Sequence, residues 1–301
     1  MNKIKAAAVQ MSMCCNPEEN IYKAECMIRK AADEGANIIL LPELFETKYF
    51  CQERNYGYYK LARTLDENMA VRRFKDVAGS LGVVIPVSFF ERDVNNTYNT
   101  TAVIDADGSV LGVYRKTHIP DDQFYQEKFY FTPGDTGFKA WKTRFGTIGV
   151  GICWDQWFPE CARSMALMGA DILLYPTAIG SEPILDVDSM PHWRRVMQGH
   201  SAANITPVIA ANRVGTEKVY PCEENNNQSS SLCFYGSSFM TDETGEIISS
   251  ADRTSETVIY AEYDLEKIRE MRMSWGLFRD RRPDMYSPIT ATKNYTRMYK
   301  H

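Results

Sequence analysis

The stretch Gly149-Val150-Gly151-Ile152-Cys153-Trp154-Asp155 decides how the rest of the chain is read. The apolar run from Thr147 to Ile152 predicts a buried strand. It breaks into a cysteine shortly before Phe158-Pro159-Glu160, which reads as the start of a helix with proline in its first turn. A thiol at a strand-to-helix turn lies near free backbone N–H groups and the positive end of a helix dipole. That setting is expected to favour the thiolate. A lone buried cysteine is more often inert packing than a nucleophile. The surrounding chain has to decide between the two.

Upstream, Ile4 to Gln10 reads as a strand, followed by a helix from Asn16-Pro17 to about Glu34 with Ile21, Ala24, Met27, Ile28 and Ala31 on one face. Asn37 to Leu41 reads as a buried strand delivering Pro42-Glu43, then come a helix over 67–81 and a strand over 82–90. The segments 98–105 and 110–116 read as a hairpin around Asp107-Gly108. From Thr117 to Gly137 no period is visible, and several aromatics mark a functional loop. A second hairpin is expected over 139–143 and 147–152. Downstream, helices are predicted over 159–168 and 193–204, and strands over 171–175, 207–211, 234–241, 247–250 and 258–263. A last helix starts at Asp264. Residues 1–283 make one domain in this reading. The tail 284–301, with Pro288, is expected to leave the core and pack on a neighbouring subunit.

The 301 residues are long enough to bury a large core, and their composition, 44% hydrophobic and 24% charged, is that of a globular protein. A net charge of −5 without a basic block argues against nucleic acid as a partner. No apolar run approaches the roughly 20 residues of a membrane helix, and Met1-Asn2-Lys3-Ile4 does not open an export signal. No membrane association is therefore expected. The eight cysteines have no CxxC pairing and the four histidines are scattered. Reduced thiols in the cytoplasm and no bound metal are the expectation.

Gly35-Ala36-Asn37-Ile38-Ile39-Leu40-Leu41-Pro42 is echoed by Gly169-Ala170-Asp171-Ile172-Leu173-Leu174-Tyr175-Pro176. Each follows a predicted helix and ends a buried strand with proline, as two pseudo-symmetric units would. Glu43 and Thr177 then sit on matching rims, where open α/β sheets place their ligands. Glu43, Lys116 and Cys153 all fall at predicted strand ends. A carboxylate that takes a thiol proton, a cation that holds an oxyanion and a thiolate nucleophile are what attack on an amide or nitrile requires.

Leu41-Pro42-Glu43, Tyr114-Arg115-Lys116-Thr117-His118 and Gly151-Ile152-Cys153-Trp154-Asp155 resemble, in order, the three signature segments of the carbon–nitrogen hydrolase (nitrilase) superfamily. The likeness spans about Ile4 to Pro283. It implies an α/β fold, a four-layer α-β-β-α sandwich of the nitrilase type, with no metal or organic cofactor and a homo-oligomeric assembly (a dimer or larger). It also implies Cys153 as nucleophile, Glu43 as general base, Lys116 and the backbone N–H of Trp154 as oxyanion donors, and Glu127 as a second glutamate orienting Lys116 and the substrate amide.

Within the superfamily, the segments 153–160, 175–183 and 192–200 are similar to the branch acting on N-carbamoylputrescine. The implied reaction yields putrescine, carbon dioxide and ammonia through a cysteine thioester, in polyamine biosynthesis. The ammonium tail of such a small-molecule substrate calls for an anion at the far end of the site. The loop 177–191 supplies Glu182, Asp186 and Asp188 and no lysine or arginine. Thr177, Tyr125, Tyr130 and Phe124 are further candidates for the substrate contact. The alternatives are another N-carbamoyl compound or linear amide, such as N-carbamoyl-β-alanine or an ω-amide, or acyl transfer in place of hydrolysis.

Overall fold

The computed structural model describes residues 3–181 and 186–291. The first half contains β1 (Lys3–Gln10), α1 (Pro17–Asp33), β2 (Ile38–Leu40), α2 (Met69–Leu81), β3 (Ile85–Asp93), β4 (Asn96–Ile104) and β5 (Val110–Arg115). The second half begins with β6 (Ala140–Thr143), β7 (Gly146–Val150), α3 (Pro159–Leu167), β8 (Ile172–Thr177), α4 (Met190–Asn204) and β9 (Val208–Asn212). It continues with β10 (Val214–Val219), β11 (Ser230–Tyr235), β12 (Phe239–Thr241), β13 (Ile247–Ser250), β14 (Thr257–Asp264), α5 (Leu265–Trp275) and α6 (Ser287–Thr290).

The helix boundaries follow from their caps. The Asn16 side chain accepts from Glu18 N–H at 3.0 Å and Asn68 from Val71 N–H at 2.9 Å, opening α1 and α2. Asp264 does the same for α5, accepting from Lys267 N–H at 3.2 Å. Gly82, with φ +68°, closes α2 in the left-handed conformation that glycine adopts at little cost.

Two sheets result. One runs β14-β1-β2 and continues to β3-β4-β5 through Ile39 N–H donating to the Val84 carbonyl and Val84 N–H to that of Asn37, at 2.9 and 2.8 Å. The other runs β6-β7-β8-β9-β12-β13. The strand alternation sorts side chains into layers. Ala6, Ala8, Ile38 and Leu40 meet Val150, Ile172, Leu174 and Ile209 between the sheets. Ala7, Val9, Ile39 and Leu41 pack under α1 and α2, and Leu173, Tyr175, Val208 and Ala210 under α3 and α4. The expected four-layer α-β-β-α sandwich is present. Its halves correspond element by element: β1-α1-β2-α2-β3 matches β7-α3-β8-α4-β9. Glu43 N–H donates to the Thr177 carbonyl at 3.4 Å, so the two echoed strand ends touch.

Two expectations need correction. The strand expected over 234–241 is two strands, because Gly236 and Ser237 take φ values of +51° and +60° and turn the chain from the β10–β11 hairpin back to β9. The hairpin strand β10 was not anticipated, its Glu217 being buried against the sheet pattern. Among the described residues no helix is long and apolar enough to cross a membrane, and no group of three or more His, Cys, Asp or Glu could hold a metal ion.

Candidate active site

Glu43 follows β2, and Lys116 follows β5. Glu127 opens a short 3-10 turn, Glu127–Phe129, within the loop that lacks a period. All three side chains are buried. Lys116 Nζ donates to Glu43 Oε1 at 2.8 Å and to Glu127 Oε2 at 2.6 Å. Asn99 of β4 also donates to Glu43 Oε1, at 2.6 Å, while Glu43 Oε2 accepts no hydrogen bond from a described residue. Tyr49 OH donates to Glu127 Oε1 at 2.7 Å. The Lys116 backbone is clamped by its N–H to the Asn99 carbonyl and its carbonyl to Gly134 N–H, both 2.8 Å. A Cβ on Gly134 would lie 2.1 Å from the Arg115 carbonyl oxygen, so only glycine permits that approach.

Cys153 sits just after β7 with φ +43°, at the start of a 3-10 turn, Cys153–Trp157. Asp155 holds this turn in place. Its carboxylate accepts from Ile152 N–H at 2.9 Å, Tyr114 OH at 2.7 Å and His118 N–H at 3.0 Å, and the His118 ring stacks on Phe158 at 3.6 Å. The helix α3 begins only at Pro159, so the expected helix-dipole support for a thiolate is not built. Burial and then the Glu43 charge push the Cys153 thiol well above the usual range, against the pull of Lys116. The resting group is a thiol that needs a base. Burial alone would push Lys116 down, but Glu127 and Glu43 outweigh it and hold the ammonium well above its usual range. Glu127 is pushed up to about 7, by burial first and by the Glu43 charge, with Lys116 opposing.

Cys153, Trp154 and Glu127 line a cleft of ≈ 630 Å³ together with Tyr125, Asp121, Asp122, Gln156, Trp157, Asp188 and His192. No lysine or arginine lines its described part. The cleft brings together only some of the residues expected to touch substrate. Tyr125 is on the wall, its OH donating to the Ser181 carbonyl at 3.2 Å. Asp188 is on the rim, but Arg253 donates to it at 2.7 Å. Tyr130 is a correction: it is buried among Phe50, Phe90 and Phe131, and its OH donates to the Glu53 carbonyl at 2.7 Å. Thr177 is another, buried behind the cleft with its hydroxyl 3.0 Å from the Tyr175 carbonyl and 3.2 Å from Gln156 Oε1. Asp186 is exposed and off the cleft wall, and Phe124 faces a neighbouring depression. Glu182 lies outside the described residues.

Sequence reading missed Tyr49, Asn99 and Arg213. Tyr49 and Asn99 carry no motif, and a buried arginine in Asn212-Arg213-Val214-Gly215 could be recognised only by its position directly after a buried strand.

The family model for carbon–nitrogen hydrolases matches residues 5–273. The chain is 54% identical to a citrullinase from Francisella tularensis subsp. tularensis over 96% of this chain and 99% of the relative. It is also 54% identical to an N-carbamoylputrescine amidase from Oryza sativa subsp. japonica, over 96% and 95% of the two chains. A crystal structure of a carbon–nitrogen hydrolase from Helicobacter pylori G27 superimposes with TM-score 0.88 at 37% identity, covering 97% of this chain and 100% of that one. The chain belongs to the carbon–nitrogen hydrolase family, within the nitrilase superfamily, and is a hydrolase of carbon–nitrogen bonds other than peptide bonds.

Proposed function

We propose that the protein hydrolyses N-carbamoylputrescine to putrescine, carbon dioxide and ammonia. Glu43, through its unpaired Oε2, takes the Cys153 thiol proton as Sγ attacks the urea carbon. The oxyanion is held by Lys116 and the Trp154 N–H, whose place in the first turn leaves it without a helical acceptor. Collapse breaks the C–N bond to the terminal nitrogen, which leaves as ammonia with the proton from Glu43. Glu43 then draws a proton from water, which attacks the thioester and releases Cys153. The resulting carbamic acid loses carbon dioxide to give the amine. Glu127 orients Lys116 and the substrate amide.

One observation carries the choice of substrate: the described cleft wall presents Asp121, Asp122 and Asp188 and no lysine or arginine, which suits an ammonium tail. The rice relative named for this activity supports it. A second reading, hydrolysis of the ureido group of citrulline, is favoured by the citrullinase relative and by Arg253, which sits on Asp188 and could meet a carboxylate. Comparing kcat/KM for N-carbamoylputrescine, citrulline and N-carbamoyl-β-alanine decides between them. A preference for N-carbamoylputrescine supports the reading, and a preference for either carboxylate overturns it.

The same reading has the enzyme acting in the cytoplasm in polyamine biosynthesis, as a homo-oligomer with the tail from residue 284 packing on a neighbouring subunit. Exposed Leu167, Met168, Trp275, Leu277 and Ile289 along α3, α5 and the tail support that contact surface.

A further inference from the structure

We propose that Arg213 and Glu217 are positioning residues that set both carboxylates flanking Lys116 from one buried ion pair. The inference rests on the catalytic roles proposed above. Arg213 leaves β9 at the point where the chain enters β10, and it is fully buried. Its guanidinium donates to the Glu43 carbonyl at 2.8 Å and to those of Leu44 at 3.1 Å and Thr47 at 3.4 Å. Three carbonyls, two of them buried, thus converge on one cation, in the turn where Leu44 takes φ +47°. A non-glycine residue persists in that conformation only where its surroundings hold it. The turn is the backbone of the general base.

The cation is balanced by Glu217, four residues on, whose Oε1 accepts from Arg213 at 2.8 Å. The other oxygen, Oε2, accepts from Tyr49 N–H at 2.6 Å. Tyr49 carries the hydroxyl that donates to Glu127, and its ring lies 5.6 Å from the guanidinium carbon. The contacts close a ring: Arg213 to the Glu43 backbone, Glu43 to Lys116, Lys116 to Glu127, Glu127 to Tyr49, Tyr49 to Glu217, and Glu217 back to Arg213. A buried ion pair is weak evidence of stabilisation in itself, because desolvation offsets most of its attraction. Here the other side-chain hydrogen bonds of both partners go to the segment 43–49, which carries Glu43 and the tyrosine that holds Glu127, while Arg213 Nε has no partner among the described residues.

The test is a double-mutant cycle with Glu217→Gln, Tyr49→Phe and the double variant, reading kcat and KM for N-carbamoylputrescine, iodoacetamide alkylation of Cys153 against pH, and thermal melting. Glu217→Gln keeps the shape and weakens the hold on Tyr49, and should lower kcat roughly tenfold to a hundredfold with KM within about twofold. Alkylation at neutral pH should slow in parallel. The double variant should lose less than the product of the single losses, because both changes act through the Tyr49–Glu127 contact and only Glu217→Gln also loosens Arg213. Losses that multiply, or a kcat that follows the melting temperature with KM, overturn the proposal. Should Glu217→Gln not fold, Glu217→Asp, which keeps the charge and shortens the reach to Tyr49 N–H, carries the same cycle. Alkylation needs no substrate, so it reads the relay even if no carbamoyl compound is turned over, a result that would overturn only the proposed reaction.

Discussion

The ends of β2 and β8 are built from nearly the same eight residues, and they meet where Glu43 N–H reaches the Thr177 carbonyl. One end delivers a carboxylate held by Lys116 and Asn99, on a backbone whose carbonyl accepts from the Arg213 guanidinium. The other delivers a hydroxyl that stays within its own strand and the neighbouring Gln156. The same asymmetry holds for the adjacent pair: β7 runs into Cys153, whereas its counterpart β1 runs into Met11 and Ser12. The repeated framework therefore supplies two equivalent rims. Chemistry is placed by a handful of rim residues that break the symmetry, two after strands of the first half and one after a strand of the second.

Substitutions at the two rims should differ steeply in effect. Cys153→Ser should lower kcat by roughly 10³-fold or more, measured on N-carbamoylputrescine, because no other described thiol lines the cleft. Glu43→Gln should cost about 10²–10⁴-fold in kcat, the usual worth of a positioned base, with little change in KM. A Glu43→Gln variant of near-normal rate would erase the contrast between the rims.

A pH titration sharpens the comparison further. Burial, with the Glu43 charge adding, pushes Glu127 up from 4.5 to about 7, so the folded protein binds its proton more tightly than the unfolded chain. Ionising Glu127 therefore costs stability as pH rises from 4.5 through about 7. Activity should rise over that interval as the Lys116–Glu127 ion pair forms. Melting curves and kcat/KM profiles should thus move in opposite directions, and Glu127→Gln should flatten both; parallel movement would place the titration elsewhere.

Smaller effects belong to the cleft rim and the quiet strand end. Asp188→Asn should raise KM for N-carbamoylputrescine by about twofold to fivefold, as an exposed ion pair is worth little, and should improve relative turnover of citrulline by releasing Arg253. Unchanged KM values for both compounds would remove Asp188 from substrate recognition. Thr177→Val should leave kcat within about twofold and cost about 1 kcal/mol of stability, measured by denaturant unfolding, for the lost hydroxyl bond. A large loss of kcat there would show that the second rim is chemically engaged after all.

The layers were legible because their strands obey simple rules. Ala6 to Val9, Ile38 to Leu41 and Ile172 to Tyr175 are apolar on both faces, which only strands sandwiched between a sheet and helices require. The internal echo of 35–42 in 169–176 carried the pseudo-symmetry. Less legible was whatever depends on a side chain reaching across the fold. Tyr49 meets Glu127 across 78 residues and Arg213 meets the Glu43 carbonyl across 170, and no local pattern records either contact. Tyr130 misled for the opposite reason: an aromatic beside a motif residue looks the same in sequence whether it lines a cleft or fills the core behind it. Proline at 159 makes the thiol at 153 look dipole-stabilised in the sequence, whereas the intervening 3-10 turn leaves no local signal there.

The most direct measurement is peptide mapping by mass spectrometry after rapid acid quenching of the enzyme turning over N-carbamoylputrescine. The mechanism predicts a substrate-derived acyl group on the peptide containing Cys153, formed and consumed within the turnover cycle. An adduct confined to another cysteine, or full turnover by Cys153→Ser, would contradict it.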